Sequence, residues 1–358
     1  MLLALGLVLF VSLIILHEFG HYLAARMSGV KVEEFGIGFP PRIRGRRFKK
    51  GGTLYSLNWL PLGGFVRLKG EHDADKTKGS YGAARLGAKS FILMAGVLMN
   101  LLAAVVILTV LSATGLPKLV DNQFAVASDT QVIQNDVLVT YLVDNSPAAR
   151  AGLEVGDAIV SLNGQTLDSS ETLAPLAEEH AGQTVGITWS SAGQETSGQV
   201  TLNSQGGDDG YLGVSTGDFV VERSTWSAPI RGVGLTLQFT WLTIKGVATT
   251  VGELLIGQGS AAADNVAGPV GIVVLLNDIA QAGLSFVMMF LALISVTLAV
   301  MNALPIPALD GGRLFVTYLF RLIKKPLSTG LEERIQATGM ALLIGLVILI
   351  TFVDVNRL

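Results

Sequence analysis

Two histidines four residues apart, His17 and His21, enclose a glutamate in the sequence His-Glu-Phe-Gly-His. On an α-helix, residues at this spacing lie on one face a turn apart, so both imidazoles can reach one metal ion. Glu18 then lies beside the ion, where its carboxylate can activate a water molecule. This HExxH pattern is typical of zinc hydrolases, in which two histidines, a third ligand and an open position for water surround the metal.

A five-residue pattern also arises by chance, and two features of the chain favour a metal site instead. Only four histidines occur in 358 residues. The pair lies inside an apolar stretch, where ionisable groups are costly unless they have a function.

The composition indicates an integral membrane protein. Half of the residues are hydrophobic and only 15% are charged, against about 25% charged in soluble proteins. These values exclude a disordered chain, most cytosolic enzymes and a basic nucleic-acid binder, so we expect no nucleic-acid partner. The chain contains no cysteine, which excludes disulfides, thiol nucleophiles and thiolate metal sites.

Four stretches reach the length of about 20 apolar residues that a bilayer requires. They cover approximately residues 2–25, 91–111, 284–304 and 338–353. The first stretch has no basic residue before its apolar run and contains the histidine pair. Both facts argue against a cleaved signal peptide.

The segments between the spans differ in charge, which predicts their sides of the membrane. Residues 26–89 contain fourteen Lys and Arg against five acids, whereas residues 112–227 contain three against fifteen. The linker after the third span is again basic. Because basic segments stay in the cytoplasm, the first loop and this linker are predicted inside, with the acidic insert and both termini outside.

The chain is predicted to have three parts: residues 1–117 and 228–358 form a membrane core, and residues 118–227 form an inserted domain. Short β-branched runs and two short helices, at 147–153 and 170–180, predict an α+β fold for the insert. Residues 229–256 predict an amphipathic helix at the membrane surface. The fold class is therefore a polytopic α-helical membrane protein of about four spans with an inserted α+β domain.

The third metal ligand must lie at the depth of the histidine pair. His17 follows 16 residues, which places it about 24 Å along the helix in a hydrocarbon core of about 30 Å. His72 and His180 stand in polar segments and are predicted to be solvated. Asp310 follows two prolines at the cytoplasmic end of the third span, where a broken helix can line a cavity. The alternative is that the Asp-Gly-Gly sequence beginning at Asp310 forms only a turn out of the membrane.

The HExxH motif and the Asn-x-x-Pro-x-Pro-x-Leu-Asp-Gly motif at 302–311 together resemble the bacterial site-2 proteases, which are intramembrane zinc metalloproteases. The resemblance implies a multi-pass protein of the bacterial cytoplasmic membrane, with its active site near the cytoplasmic side. It implies Zn²⁺ held by His17, His21 and Asp310, with Glu18 as the general base. It also implies that Asn302 holds or unwinds the substrate strand. An interhelical hydrogen bond is a compatible alternative for Asn302.

Two further groups of candidates rest on the same resemblance. The second span departs from the Gly-Pro often found in the family by having Val97 after Gly96, which leaves Asn100 as a candidate substrate-binding residue. The basic loop resembles a membrane-associated β-hairpin whose edge pairs with an unwound substrate. Gly36 and Gly38 in the strand region 35–39 are the candidate substrate contacts there, with further strand regions at 53–59 and 65–68 joined by a turn at 60–64. A peripheral cytoplasmic hairpin is the alternative.

The insert resembles a PDZ domain in the circularly permuted bacterial arrangement, through the segment at 145–164. Tyr211, Leu212 and Gly213 resemble the loop whose amides bind a peptide carboxylate. The domain is expected either to bind a peptide or protein tail or to exclude bulky ectodomains from the active site. The sequence does not favour one role over the other.

The resemblance thus predicts cleavage of transmembrane segments of single-span membrane proteins that enter from the lipid bilayer. Membrane-anchored anti-sigma factors and remnant signal peptides are the expected substrates. A non-catalytic PDZ membrane adaptor on a protease-like scaffold is the main alternative, which the presence of all four chemical residues disfavours. A zinc transporter would require more polar residues in several spans than this chain has.

Overall fold

The computed structural model describes residues 1–191, 193–207, 209–257 and 268–357. The chain divides into two compact units. One unit contains Met1–Leu111 together with Ala228–Leu358, and the other contains Ser112–Ser227. The insert predicted at residues 118–227 falls within the second unit.

The helices of the described residues are α1 (Leu2–Met27), α2 (Leu86–Thr114), α3 (Pro147–Ala151), α4 (Ser170–Glu179), α5 (Ala228–Leu255), α6 (Pro269–Ala282), α7 (Leu284–Ala303), α8 (Asp310–Leu322) and α9 (Thr329–Arg357). Four of them, α1, α2, α7 and α9, are long and apolar enough to cross a membrane. The four predicted spans are therefore confirmed.

Small residues set the packing of the helices in the first unit. A Cβ atom on Gly20 of α1 would lie 2.5 Å from the carbonyl oxygen of Ala95 in α2, so the glycine permits the two backbones to approach closely. At the other end of α1, Gly6 faces the side chain of Leu276 in α6. This contact belongs to an apolar cluster that includes Leu13, Leu276, Val287 and Leu291.

The segment predicted as a surface helix is helix α5. Its N-terminal half packs into the first unit, with Arg231, Leu235 and Phe239 buried. Gly232 lies against Val105 and Thr109 of α2. One half of α5 is therefore a packing element of the helical core.

Strands β1 (Val32–Lys50) and β2 (Thr53–Leu68) form the loop between α1 and α2. Residues 34–37 of β1 pair with residues 54–57 on one side and with residues 64–67 on the other. Residues 47–50 pair with residues 53–56. The ribbon therefore has four segments in the order 47–50, 53–57, 34–37 and 64–67, with the last segment at one edge.

The second unit is an α+β domain, as predicted for the insert. Its strands are β3 (Leu116–Pro117), β4 (Gln131–Leu142), β5 (Ala158–Leu162), β6 (Gln165–Thr166), β7 (Thr184–Ser191), β8 (Gln194–Thr201) and β9 (Val214–Arg223). The sheet order is β3-β9-β4-β5-β7-β8, with β6 paired to β5. Helix α3 has a local reason to form, because the Ser146 hydroxyl accepts from the Ala149 N–H at its start and Gly152 adopts a left-handed conformation at its end.

Candidate metal centre

Three side chains from two distant parts of the sequence meet in the first unit. His17 Nε2 lies 3.1 Å from Asp310 Oδ2, His21 Nε2 lies 3.2 Å from the same oxygen, and the two Nε2 atoms lie 3.2 Å apart. A tetrahedral zinc site with bonds of about 2.0–2.1 Å has about 3.3 Å between its ligand atoms. The two imidazoles and the carboxylate thus fit Zn²⁺ in both chemistry and spacing. Among the described residues, these three form the one His/Cys/Asp/Glu cluster able to hold a metal.

Gly96 makes space for this cluster. A Cβ atom at this position would lie 2.5 Å from His17 Cε1 and 2.6 Å from the Nε2 atoms of both histidines. Because α2 carries a glycine there, both imidazole edges can turn toward the position of the metal. Sequence reasoning noted Gly96 only as part of a departure from the family pattern and did not assign this role to it.

The far nitrogens of both imidazoles have polar neighbours on α2. His21 Nδ1 lies 2.8 Å from the carbonyl oxygen of Ile92, which accepts a hydrogen bond from Nδ1–H and leaves Nε2 free to bind metal. His17 Nδ1 lies 3.3 Å from the amide nitrogen of Asn100. The Asn100 Oδ1 atom is buried and has no hydrogen-bond partner among the described residues. With the amide rotated by 180°, Oδ1 accepts a hydrogen bond from Nδ1–H, the arrangement that metal binding through Nε2 requires.

Asn100 thus lies behind His17, a candidate metal ligand. Its side chain is fully buried, and its backbone carbonyl accepts from the hydroxyl of Ser295 in α7 at 2.8 Å. The sequence-based expectation for Asn100 was substrate binding. The observed contacts suit a residue that orients His17.

The segment between α7 and α8 places Asp310. Pro305 and Pro307 end the helical run after Ala303, and Asp310 is the first residue of α8. Gly311 and Gly312 pack directly on the preceding backbone, since a Cβ on either would lie about 2 Å from a carbonyl oxygen of that segment (2.2 Å and 1.9 Å, respectively). The two glycines therefore do more than form an exit turn, because they hold the start of α8 against the broken end of α7.

A polar network on α8 and its neighbours supports this placement. Arg313, one turn after Asp310, donates to Glu332 of α9 at 3.4 Å and to the carbonyl of Glu71 in the basic loop. The buried Glu332 also accepts the backbone N–H of Asp73 at 2.9 Å. Burial raises the pKa of Asp73, but the ion pair with the Lys89 ammonium outweighs it and holds that pKa below its usual value.

Glu18 lies beside the edge segment of the β1–β2 ribbon. The Val66 N–H donates to its carboxylate. A Cβ on Gly64 would lie 3.3 Å from Glu18 Cγ, so the absence of a side chain there leaves room for the carboxylate. The candidate base and the edge of the ribbon are therefore adjacent.

The predicted substrate contacts Gly36 and Gly38 lie elsewhere in the ribbon. Gly36 is in the segment that pairs on both sides, with Ser56 and Phe65. A Cβ on Gly38 would lie 2.6 Å from the carbonyl oxygen of Leu60. Because both glycines are enclosed by their own ribbon, they offer no free strand edge. Of the two outer segments of the ribbon, 64–67 is the one beside Glu18, and the sequence predicted it as the end of the turn 60–64 and the start of the strand region 65–68.

Asn302 and the remaining histidines do not join the cluster. The Asn302 amide donates to the Leu298 carbonyl of its own helix at 3.0 Å, and not across helices. His72 contacts Glu333 of α9 at 3.3 Å. His180, in the second unit, lies 3.0 Å from the Asn163 amide. Both histidines are therefore away from the metal site, as expected from their polar settings.

The predicted carboxylate-binding loop is in the second unit. Leu212 is buried in the domain core, and Gly213 has a φ of 76° that favours glycine. The carbonyls of this loop accept hydrogen bonds from Val143, Ala148 and Asn203. Among the described residues, no acceptor is found for the N–H groups of Tyr211, Leu212 and Gly213. As far as the described residues go, those three amides can donate to an external carboxylate.

Comparison with known proteins gives matches over nearly the whole chain. The sequence profile of Peptidase family M50 matches residues 5–346. Zinc metalloprotease RasP of Geobacillus kaustophilus is 26% identical over 98% of this chain and 97% of its own length. A Clostridium perfringens protein, named provisionally as a zinc metalloprotease, is 30% identical over 98% of this chain and 97% of its own.

Solved structures that match a smaller part of the chain include isolated PDZ domains. The PDZ domain of an SdrC-like protein from Listeria monocytogenes is 24% identical and covers 24% of this chain and 92% of its own, with a TM-score of 0.22.

The four apolar helices and the histidine–carboxylate cluster define an integral membrane metallohydrolase. The chain belongs to Peptidase family M50, and it is a zinc metalloprotease.

Proposed function

We propose that this zinc metalloprotease cleaves peptide bonds inside the transmembrane segments of single-span membrane proteins. The observation that carries the proposal is the location of the metal cluster. His17 and His21 lie within a helix long and apolar enough to span the bilayer, and Asp310 follows the end of another such helix. A site at that depth meets a substrate within the membrane.

The proposed roles follow from the geometry. His17, His21 and Asp310 are the zinc ligands, and Glu18 is the general base. Zinc in such a site supplies a Lewis acid that polarises a carbonyl and lowers the pKa of water to about 7. Glu18 takes a proton from the attacking water and later passes it to the amine of the leaving chain. Asn100 and the Ile92 carbonyl hold the imidazoles in the tautomer that binds metal.

Substrate binding is proposed at the edge segment 64–67 of the ribbon. A peptide bond in a helix is shielded by the helix's own hydrogen bonds, so a substrate must unwind before water can attack it. Strand addition at a free edge supplies replacement hydrogen bonds to the unwound chain. Contact between Val66 and Glu18 places this edge directly beside the base.

The insert is proposed to be a PDZ domain that binds the C-terminal carboxylate of a peptide or protein tail. The amides of Tyr211, Leu212 and Gly213, which no described residue accepts from, support peptide binding over a purely steric filter. A filter needs bulk but has no use for three such N–H groups in one loop.

The proposed setting is the bacterial cytoplasmic membrane. Charge asymmetry supports an orientation with the basic ribbon and the active site near the cytoplasmic side and the acidic insert outside. Regulated intramembrane proteolysis is the proposed physiological role, with membrane-anchored anti-sigma factors or remnant signal peptides as substrates.

Cleavage of a tagged single-span protein in membranes tests the proposal against the non-catalytic adaptor. Replacing Glu18→Gln removes the base and is expected to lower the rate roughly 10²–10⁴-fold, while the protein retains its zinc. Glu33→Gln, the same change at an exposed position of the ribbon, is the matched control and is expected to cleave normally. Equal cleavage by wild type and Glu18→Gln would contradict the mechanism.

A further inference from the structure

A polar cavity lies at the C-terminal end of α1, apart from the candidate metal site. Its volume is about 330 Å³. The last turn of α1 and the residues after it form one wall, and the turn between β1 and β2 at Gly51 and Gly52 forms another. Nothing in the proteolytic mechanism uses this cavity.

Two cations, Arg26 and Lys31, line the cavity, and none of the described residues lining it is acidic. Neither forms an ion pair with another described residue. The side chain of Arg26 is held in place, because Nη1 donates to the Tyr22 hydroxyl at 2.9 Å and that hydroxyl lies 2.7 Å from the Tyr55 hydroxyl. The other guanidinium donors have no hydrogen-bond partner among the described residues, so the cavity fits an anion.

The position of the cavity indicates the kind of anion. Arg26 directly follows the apolar run of the first span, so its guanidinium is expected at the level of lipid headgroups. Gly51 lies against the same guanidinium, at 3.5 Å from an added Cβ to Nη1. The buried Val30 and Val32 supply an apolar part of the lining. A phosphodiester with an attached glyceride matches this combination of cations, apolar wall and depth.

We propose that the cavity binds the phosphate of an anionic phospholipid headgroup, such as phosphatidylglycerol. Basic pockets at the cytoplasmic ends of membrane helices recognise such headgroups. The bound lipid would join the end of the helix that carries His17 and His21 to the β1–β2 turn. Because the proposal concerns binding alone, its test does not depend on proteolysis.

Native mass spectrometry of the delipidated full-length protein tests the proposal. We expect bound phosphatidylglycerol to exceed phosphatidylcholine in the wild type. In the double variant Arg26→Gln, Lys31→Gln, phosphatidylglycerol affinity should fall about fivefold for each charge removed. Lys31→Gln alone, which leaves the Arg26–Tyr22 bond intact, should show about half of that loss on a logarithmic scale.

Two further arms separate lipid binding in the cavity from a general effect of charge and from binding of phosphate alone. The double variant Lys324→Gln, Lys325→Gln removes the same charge from exposed positions outside the cavity and should keep wild-type binding. Equal loss in this control, or no loss in the cavity variants, would overturn the proposal. Inorganic phosphate that displaces phosphatidylglycerol at equal concentration would also overturn it, because the acyl glyceride would then contribute nothing.

Discussion

Asp310 places its carboxylate 3.1 Å from Nε2 of His17, although 293 residues separate the two in sequence. His17 lies in α1, where Gly20 permits the close approach of α2, and Asp310 follows the broken end of α7. Both α1 and α7 are long enough to span a membrane. His21 completes a triangle of ligand atoms with sides of 3.1–3.2 Å. The site therefore depends on elements that approach closely as well as on the ligands themselves.

Replacement of Gly96→Ala is expected to abolish zinc binding. The added methyl group would lie 2.5–2.6 Å from both imidazoles, so the rings must turn away from the metal. Gly87→Ala in the same helix, where nothing lies within 4 Å of an added Cβ, is the control. Zinc content of the purified proteins measures the effect, and full zinc occupancy in Gly96→Ala would exclude the proposed crowding.

Replacement of Asn100→Ala is expected to weaken zinc binding by about 10–100-fold without abolishing the site. The reason is that His17 loses the partner of its Nδ1 atom. Asn302→Ala makes the same chemical change at an amide that bonds only within its own helix, so zinc affinity should stay near wild type. Competition with a chelator of known affinity gives both values. Equal losses in the two variants would show that Asn100 has no specific role in orienting the ligand.

The edge of the ribbon can be tested by cross-linking, since the chain has no cysteine of its own. In the Glu18→Gln background, Arg67→Cys should form a disulfide with a cysteine placed in the substrate span. Phe48→Cys, also exposed but on the opposite edge segment, should not. Preferential cross-linking at Phe48→Cys would reverse the proposed substrate position.

The loop at Tyr211–Gly213 should bind peptides through a free C-terminal carboxylate. Its three N–H groups, for which no described residue is an acceptor, can donate to a carboxylate but gain less from a neutral amide. Fluorescence anisotropy with the full-length protein should therefore give a lower Kd for a carboxylate-ended peptide than for the same peptide with an amidated end. Equal affinity would favour the steric role instead.

The three candidate ligands that the structure brings together could be picked out from the sequence because their chemistry is local. HExxH needs only a helix to bring two imidazoles together, and a membrane span leaves few other polar residues to compete as the third ligand. The sequence could not predict which segments of the basic loop form the outer edges of the ribbon. Residues 34–37 and 64–67 both have strand-forming composition, and only their pairing distinguishes an inner segment from an edge.

The role of Gly96 beside the two imidazoles could not be predicted either, because it also depends on how segments pack. A glycine in an apolar helix is expected for packing, and its orientation toward the imidazoles is set by the crossing of α1 and α2. The signal available in the sequence was its spacing of four residues from Asn100, which places both on the helix face that meets the histidines. At Asn302 the motif indicated a substrate contact. In the structure its amide donates to a carbonyl of its own helix.

The most direct test of the account is the position of the cleaved bond. Purified protein in bilayers would be incubated with a single-span substrate, and the masses of both products would be measured for wild type and Glu18→Gln. The proposed mechanism predicts a cut within the apolar segment, toward its cytoplasmic end and at a depth matching His17, and no products with Glu18→Gln. A cut in the soluble flanks, or the same products from Glu18→Gln, would contradict it.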